Sequence, residues 1–235
     1  MADIFNEIDD DLRHDRYRKL WDRYGVVVLA AAAAVVIGVA GWRGYAYWSD
    51  LKAAEAGDRY YAALRQIEAG DQKGAIDALN GLAANGPAGY GVVARLQVAG
   101  ITAKEDRKAG LAAYDEVARR PGLTKVVADL AAIQAAYLAL DVEKTEQVKA
   151  RVAPYLGAGE PFRHAAREIL VLAAMQANDW AEADRVLGEM QGDAELPQSF
   201  QRRIDMLAGV IKASTPLPPA PAATPAAAPA QTPSP

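Results

Sequence analysis

His164 and Glu168 stand four residues apart, a spacing that puts an imidazole and a carboxylate on one face of a helix. Such a pair can contribute to a metal site or relay a proton. A zinc site takes at least three protein ligands, however, and the only other histidine, His14, lies 150 residues upstream. The pair therefore reads as an ion pair or a helix-cap contact. Cysteine is absent, which removes thiolate metal sites, a catalytic thiol, disulfides and the lipid-bearing cysteine of a lipoprotein. GxSxG, HExxH, the phosphate-binding GxxxxGK[ST] loop and a GxGxxG following a strand are all missing. No cofactor, metal or small-molecule substrate is expected, and the chain does not read as an enzyme.

What remains is recognition of other proteins. Tyr60, Tyr61, Tyr90, Arg95, Gln134, Tyr137, Arg163 and Arg167 combine amphipathic rings with guanidinium and amide groups. Side chains of these types hold extended peptides or helices in a groove, through shape and a few polar contacts. Between residues 44 and 214 there are 20 Lys plus Arg against 23 Asp plus Glu, a net of −3. That balance leaves no footprint for a phosphate backbone, so nucleic acid is not an expected partner.

The elements that must position these residues are helical. From residue 51 to 212 apolar positions recur at steps of three and four, broken by Gly, Pro and Asn-Gly, and no alternating strand pattern appears. The breaks predict helices over 51–69, 72–84, 88–102, 106–119, 123–139, 143–156, 160–177, 180–190 and 197–212. Pro161 and Pro197 are placed for first-turn prolines, while "NGP" at 85–87 and "RPG" at 120–122 stop helices. Connections of two to six residues make neighbours antiparallel.

The helices repeat. Ala75 precedes Pro87 by 12 residues, Ala109 precedes Pro121 by 12, and the two pairs are offset by 34, the tetratricopeptide period. A later copy, "QANDWAEADRVLGEM", aligns Asn178-Asp179 with Gly70-Asp71 and Ala183 with Ala75, while the unit around "LDVEKTEQVKARVAPYL" is degenerate. Helix pairs cross closely where a small side chain sits at the contact. Ala75, Ala109 and Ala183 are the expected contacts, with Leu79, Tyr114 and Leu187 filling the space beside them.

Ahead of the array, Tyr24 to Trp42 is 19 residues without a charge, containing six Ala, six Val and three Gly. At about 1.5 Å per residue it reaches roughly 28 Å, close to the ~30 Å hydrocarbon core of a bilayer. Trp21 and Tyr24 flank one end, and Trp42, Tyr45, Tyr47 and Trp48 the other, as rings that prefer the headgroup level. A cleaved signal is the rival reading, with Gly44 and Ala46 as a small-x-small site before Tyr47. It carries a short basic leader, whereas 23 residues precede this block and seven are acidic. A retained anchor is therefore expected. Five Arg and Lys before the span against three shortly after it (Arg43, Lys52, Arg59) put the N-terminus in the cytoplasm.

In the leader, Phe5, Ile8 and Leu12 form an apolar stripe, and Asp9 with Arg13 and Asp15 with Lys19 are i, i+4 pairs. It reads either as a solvated juxtamembrane helix or as a cytoplasmic docking segment. Residues 215–235 hold eight Pro and no charged side chain, a composition expected to remain disordered. The expected organisation is thus all-α. A cytoplasmic amphipathic leader (1–23) precedes a single transmembrane helix (24–42). A periplasmic tetratricopeptide-like helical-hairpin array (43–214) and a Pro/Ala-rich tail (215–235) follow.

The segments "IFNEIDDDLRHDRYRKLWDRYG", "GWRGYAYW", "AAEAGDRYYAAL", "GPAGYGVVARLQ" and "PFRHAAREILVLAAMQANDWAEA" resemble the alphaproteobacterial branch of a membrane-anchored, YfgM-like family with a tetratricopeptide-like domain. Members act as ancillary subunits of the SecYEG translocon, and their repeat domain is related to cell-division coordinator proteins. The resemblance covers residues 3–212. It implies an inner-membrane, single-pass adaptor that binds translocon subunits, periplasmic chaperones or their clients and makes no enzyme. The relation to division coordinators implies an alternative, an envelope scaffold for cell-division or cell-wall enzymes. Tyr60, Tyr90, Arg95, Tyr137, Arg163 and Arg167 would then line the concave groove.

Overall fold

A computed structural model of the chain describes the backbone of residues 2–214 and the side chains of residues 21–214. The leader's apolar stripe and the tail 215–235 lie outside the described residues. Within them every regular element is helical. These are α1 (Ala2–Glu68), α2 (Gln72–Asn85), α3 (Ala88–Glu105), α4 (Arg107–Ala118), α5 (Lys125–Val142), α6 (Thr145–Val152), α7 (Arg163–Gln176), α8 (Trp180–Gln191) and α9 (Gln198–Ser214). A single 3₁₀ turn, Ala153–Tyr155, extends α6 at Pro154.

The predicted gap between residues 42 and 51 is absent, and α1 runs through it. "RGYAYWSD" contains one glycine and no proline, so nothing in it stops a helix. The change is one of packing. From residue 21 to 52 the side chains are exposed except at Gly25 and Ala46. From Ala53 onward a stripe at steps of three and four turns inward, with Ala56, Gly57 and Ala63 buried and Tyr60 half-buried. This N-terminal apolar helix is long and apolar enough, by length and composition, to cross a membrane.

The chain divides into two compact units that part between Ala94 and Arg95. In the first, α2 packs on α1 and buries Ala75, Leu79 and Leu82. Each fully buried leucine contributes about 1.5–3 kcal/mol relative to exposure. The turn between them is specified locally. Gly70 adopts φ +85°, and the Asp71 amide donates to the Gln66 carbonyl at 2.9 Å, closing α1. Asp71 then caps α2, accepting at Oδ1 from the Gly74 amide at 2.9 Å.

In the second unit each helix from α4 to α9 packs on its sequence neighbour, and α5 also packs on α7. Sandwiched between three helices, α5 carries Ala131, Ala135, Ala136 and Ala139 fully buried. Larger side chains there would hold the backbones apart. One core cluster gathers Ile133, Val148, Val152 and Ile169 across α5, α6 and α7. A second gathers Val171, Val186, Leu187, Met190, Ile204 and Ile211 across α7, α8 and α9.

The repeat register is set by the caps of the second helix of each pair. These are Asp71, Asp106, Lys144 and Asp179, spaced by 35, 38 and 35 residues. Four residues after each cap stands a buried residue: Ala75, Gly110, Val148 and Ala183. Four further on are Leu79, Tyr114, Val152 and Leu187. The expected contact at Ala109 is therefore displaced by one residue. Ala109 is exposed, its amide is held by Asp106 Oδ1 at 3.0 Å, and Gly110 meets the backbone of Ala103 in α3. The Gly70-Asp71 turn recurs at Asn178-Asp179, where Asn178 has φ 58° and the Asp179 amide donates to Ala174 at 2.9 Å. At the third unit a lysine replaces aspartate as cap, and α6 spans only eight residues.

Candidate protein-binding groove

Three first-of-pair helices, α5, α7 and α9, supply a cleft of about 350 Å³. Its walls are apolar and aromatic: Leu130, Ile133 and Tyr137 from α5, Phe162 at the start of α7, and Phe200 from α9. Pro161 and Pro197 also line it, just ahead of the two later helices, and Gln134 is exposed on the α5 wall. Flat rings and prolines beside aliphatic side chains suit a short extended segment far better than a compact polar ligand.

The charged groups beside the cleft are held in ion pairs. Glu168 is buried on α7 yet accepts from Tyr137 Oη at 2.7 Å and from Arg203 Nε at 2.8 Å, and Arg203 Nη2 also pairs with it. Side chains from α5, α7 and α9 are thereby tied together. Burial, then donation to Glu168, pushes the Tyr137 hydroxyl well above the ordinary tyrosine range. Arg203 also lies over the Phe200 ring at 5.1 Å, which fixes one cleft wall.

His164 and Glu168 share a face of α7 but do not pair, contrary to the expected ion pair or cap contact. The arginine of α9 takes the carboxylate instead. His164 lines the cleft with its ring centroid 5.9 Å from that of Phe200. Its Nδ1 is buried without a hydrogen-bond partner, 3.9 Å from Asp193 Oδ2. Burial, and then the charge of Arg163, holds its pKa below the ordinary 6.5, disfavouring the charged ring.

The two arginines expected in the groove serve a different contact. Arg163 pairs with Asp193 at 3.2 Å and Glu195 at 2.6 Å, and Arg167 with Asp193 at 3.0 Å. They pin the α8–α9 connection to α7. Arg163 and then the Glu195 amide hold the Asp193 carboxyl well below the usual carboxylate range. A third cluster, Arg151 with Asp115 at 2.8 Å and Glu143 at 2.7 Å, joins α4 to the α5–α6 corner.

Of the other expected site residues, Tyr137 lies on the cleft and Arg95 is half-buried on α3. In the first unit the Tyr60 and Tyr90 rings sit 6.4 Å apart, with Tyr90 packed over Gly57. Ala75 and Ala183 are fully buried, Pro87 is half-buried and Pro121 is exposed beside Gly122. Trp21, Tyr24, Trp42 and Trp48 are exposed on α1, where Arg23 covers Tyr24 at 5.7 Å and Lys52 covers Trp48 at 3.7 Å. Phe162, His164 and Phe200 are absent from the predicted groove, because α7 and α9 bring them together from outside the 34-residue pattern.

Among the described residues no group of three or more His, Cys, Asp or Glu could hold a metal ion. A helix array of this kind is a scaffold suited to binding other proteins. Residues 18–169 match the tetratricopeptide repeat-like domain family, and the chain belongs to it. No curated protein matches the chain, and no solved structure does. The family match ends inside α7, so α8, α9 and the Phe200 wall of the cleft lie beyond it.

Proposed function

We propose that this protein is a single-pass inner-membrane adaptor whose helix array lies in the periplasm. There it holds proteins near the Sec translocon and links it to periplasmic chaperones or their clients. The observation that carries the binding role is the α5–α7–α9 cleft, apolar and aromatic, with its surrounding charges already paired. Such a surface gains from covering by an extended segment and demands no particular counter-charge. The membrane role rests on the apolar stretch of α1, its flanking Trp21, Tyr24, Trp42 and Trp48, and the excess of Arg and Lys before it. The translocon assignment rests on the sequence resemblance.

Photocrosslinking in intact cells tests the reading, with p-benzoylphenylalanine at position 134 in the cleft and at Phe5 in the leader. Channel subunits from Phe5 and chaperones or secreted clients from position 134 are expected. Recovery of division or cell-wall enzymes alone would replace this reading with that of an envelope scaffold. Topology has its own test, because protease added to spheroplasts should digest residues 50–235 and spare the leader. A mature chain beginning near Tyr47 would make the apolar stretch a cleaved signal.

A further inference from the structure

The cleft belongs to a helix, α9, that hands the chain on to an uncharged segment. Residues 215–235 follow Ser214 directly and contain eight prolines, ten small Ala, Ser or Thr side chains after Pro219, and no ionisable side chain. Phe200 stands fourteen residues before Ser214, about 21 Å along the helix axis. An extended proline-rich chain rises about 3.1 Å per residue, so roughly seven residues return that distance. About fourteen more remain, which at that rise span roughly 43 Å when extended.

The chemistry of the two surfaces agrees. Proline-rich chain binds where rings and flat apolar walls accept its pyrrolidine faces, and Tyr137, Phe162 and Phe200 supply those walls. Glu168 and Asp193 are engaged by arginines, and Asp129 and Glu160, next in sequence to the lining residues Leu130 and Pro161, share Lys125, so these carboxylates are already paired.

We propose that the α5–α7–α9 cleft is a docking site for the chain's own residues 222–235, which an external partner must displace. This rests on the cleft being the protein-binding site. Tethering makes the competition effective, because a short linker holds the segment at an effective concentration in the millimolar range. Weak docking in cis would therefore exclude weak partners and admit strong ones.

The test uses the full chain in its membrane, with p-benzoylphenylalanine at position 134, an exposed site on the cleft wall. Irradiation should join position 134 to residues 222–235 within a species of monomer mass, identified by mass spectrometry of the linked peptides. The same probe at Glu116, exposed on α4, should not. Pro225→Asp with Pro229→Asp alters nothing in the array and should lower the internal crosslink at least fivefold. Removing residues 215–235 should raise crosslinks to other proteins at least threefold. Absence of the internal crosslink, with other proteins captured equally with and without the tail, overturns the proposal and leaves the cleft as a binding site. Tail crosslinks confined to a species of dimer mass also overturn it. Failure to capture any protein from position 134 in either form overturns both readings.

Discussion

Gly110 lies against the backbone of Ala103, so close that a Cβ on Gly110 would stand 2.7 Å from the Ala103 nitrogen. Backbone of a packed helix cannot swing aside as a side chain can. Gly110→Val should therefore cost about 2–3 kcal/mol through overpacking, despite the better helix propensity of valine. For a chain of this size that lowers the melting midpoint by roughly 5–10 °C. Ala109→Leu, at the exposed neighbouring position, should stay within about 0.5 kcal/mol. Circular dichroism melts of the full chain in detergent compare the two. A larger loss for Ala109→Leu would restore the 34-residue register and reject the cap-based one.

That one-residue displacement shows what the sequence carried and what it concealed. Asp-capped helices, the Gly70 and Asn178 turns and the "NGP" and "RPG" stops are local devices, readable because each satisfies its own backbone groups. The tertiary contact is not local. A glycine inside α4 looks like a weak point of a helix, and only the proximity of Ala103 reveals it as the crossing. The pull of Pro121, twelve residues after Ala109, favoured the wrong neighbour. The cleft was hidden for a related reason: Phe162 and Phe200 are separated by more than one repeat and converge only when α7 and α9 pack. Arg163 and Arg167 had the chemistry of groove residues, but the carboxylate of Asp193 in the α8–α9 connection claims both.

Arg203 and Tyr137 hold the buried carboxylate of Glu168 from two other helices. Arg203→Ala leaves Glu168 with the tyrosine alone. The arginine side chain is 51% exposed, so solvent already screens the pair and the loss should be about 1–3 kcal/mol, below that of a fully buried bridge. Tyr137→Phe should cost about 1 kcal/mol. Because both partners share one acceptor, the double variant should depart from the sum of the single losses. Chemical denaturation of all three variants measures the coupling, and strict additivity would show that the two bonds do not act together.

His164 gives the array an acid sensitivity above the carboxylate range. Its folded pKa lies below the ordinary 6.5 because burial disfavours the imidazolium, with Arg163 and Arg167 acting in the same direction and Asp193 against them. The unfolded chain therefore binds the proton more readily. Stability is full above about pH 6.5 and declines as pH falls through that value toward the folded pKa. Melting midpoints between pH 7.5 and 5.5 should fall, and His164→Gln should flatten that part of the profile. A midpoint rising on acidification would mean that Asp193 dominates and holds the ring charged.

Lys144 is the cap that breaks the pattern. It has the extended backbone of a helix N-cap, φ −73° and ψ 151°, but its side chain makes no cap hydrogen bond, and Gln147 Oε1 accepts from its amide at 3.1 Å. At Asp71, Asp106 and Asp179 a carboxylate accepts from an amide of the first turn. Lys144→Asp would place a carboxylate acceptor beside the free amides of α6 and exchange a cation at the positive end of the helix for an anion. A gain of about 1 kcal/mol is expected, raising the melting midpoint by roughly 2–4 °C. Lys144→Asn separates the two contributions, since it supplies the acceptor without the charge and should retain most of the gain in 1 M salt. If neither variant raises the midpoint, the short α6 is limited by its length and by the 3₁₀ turn at Pro154 and not by its cap.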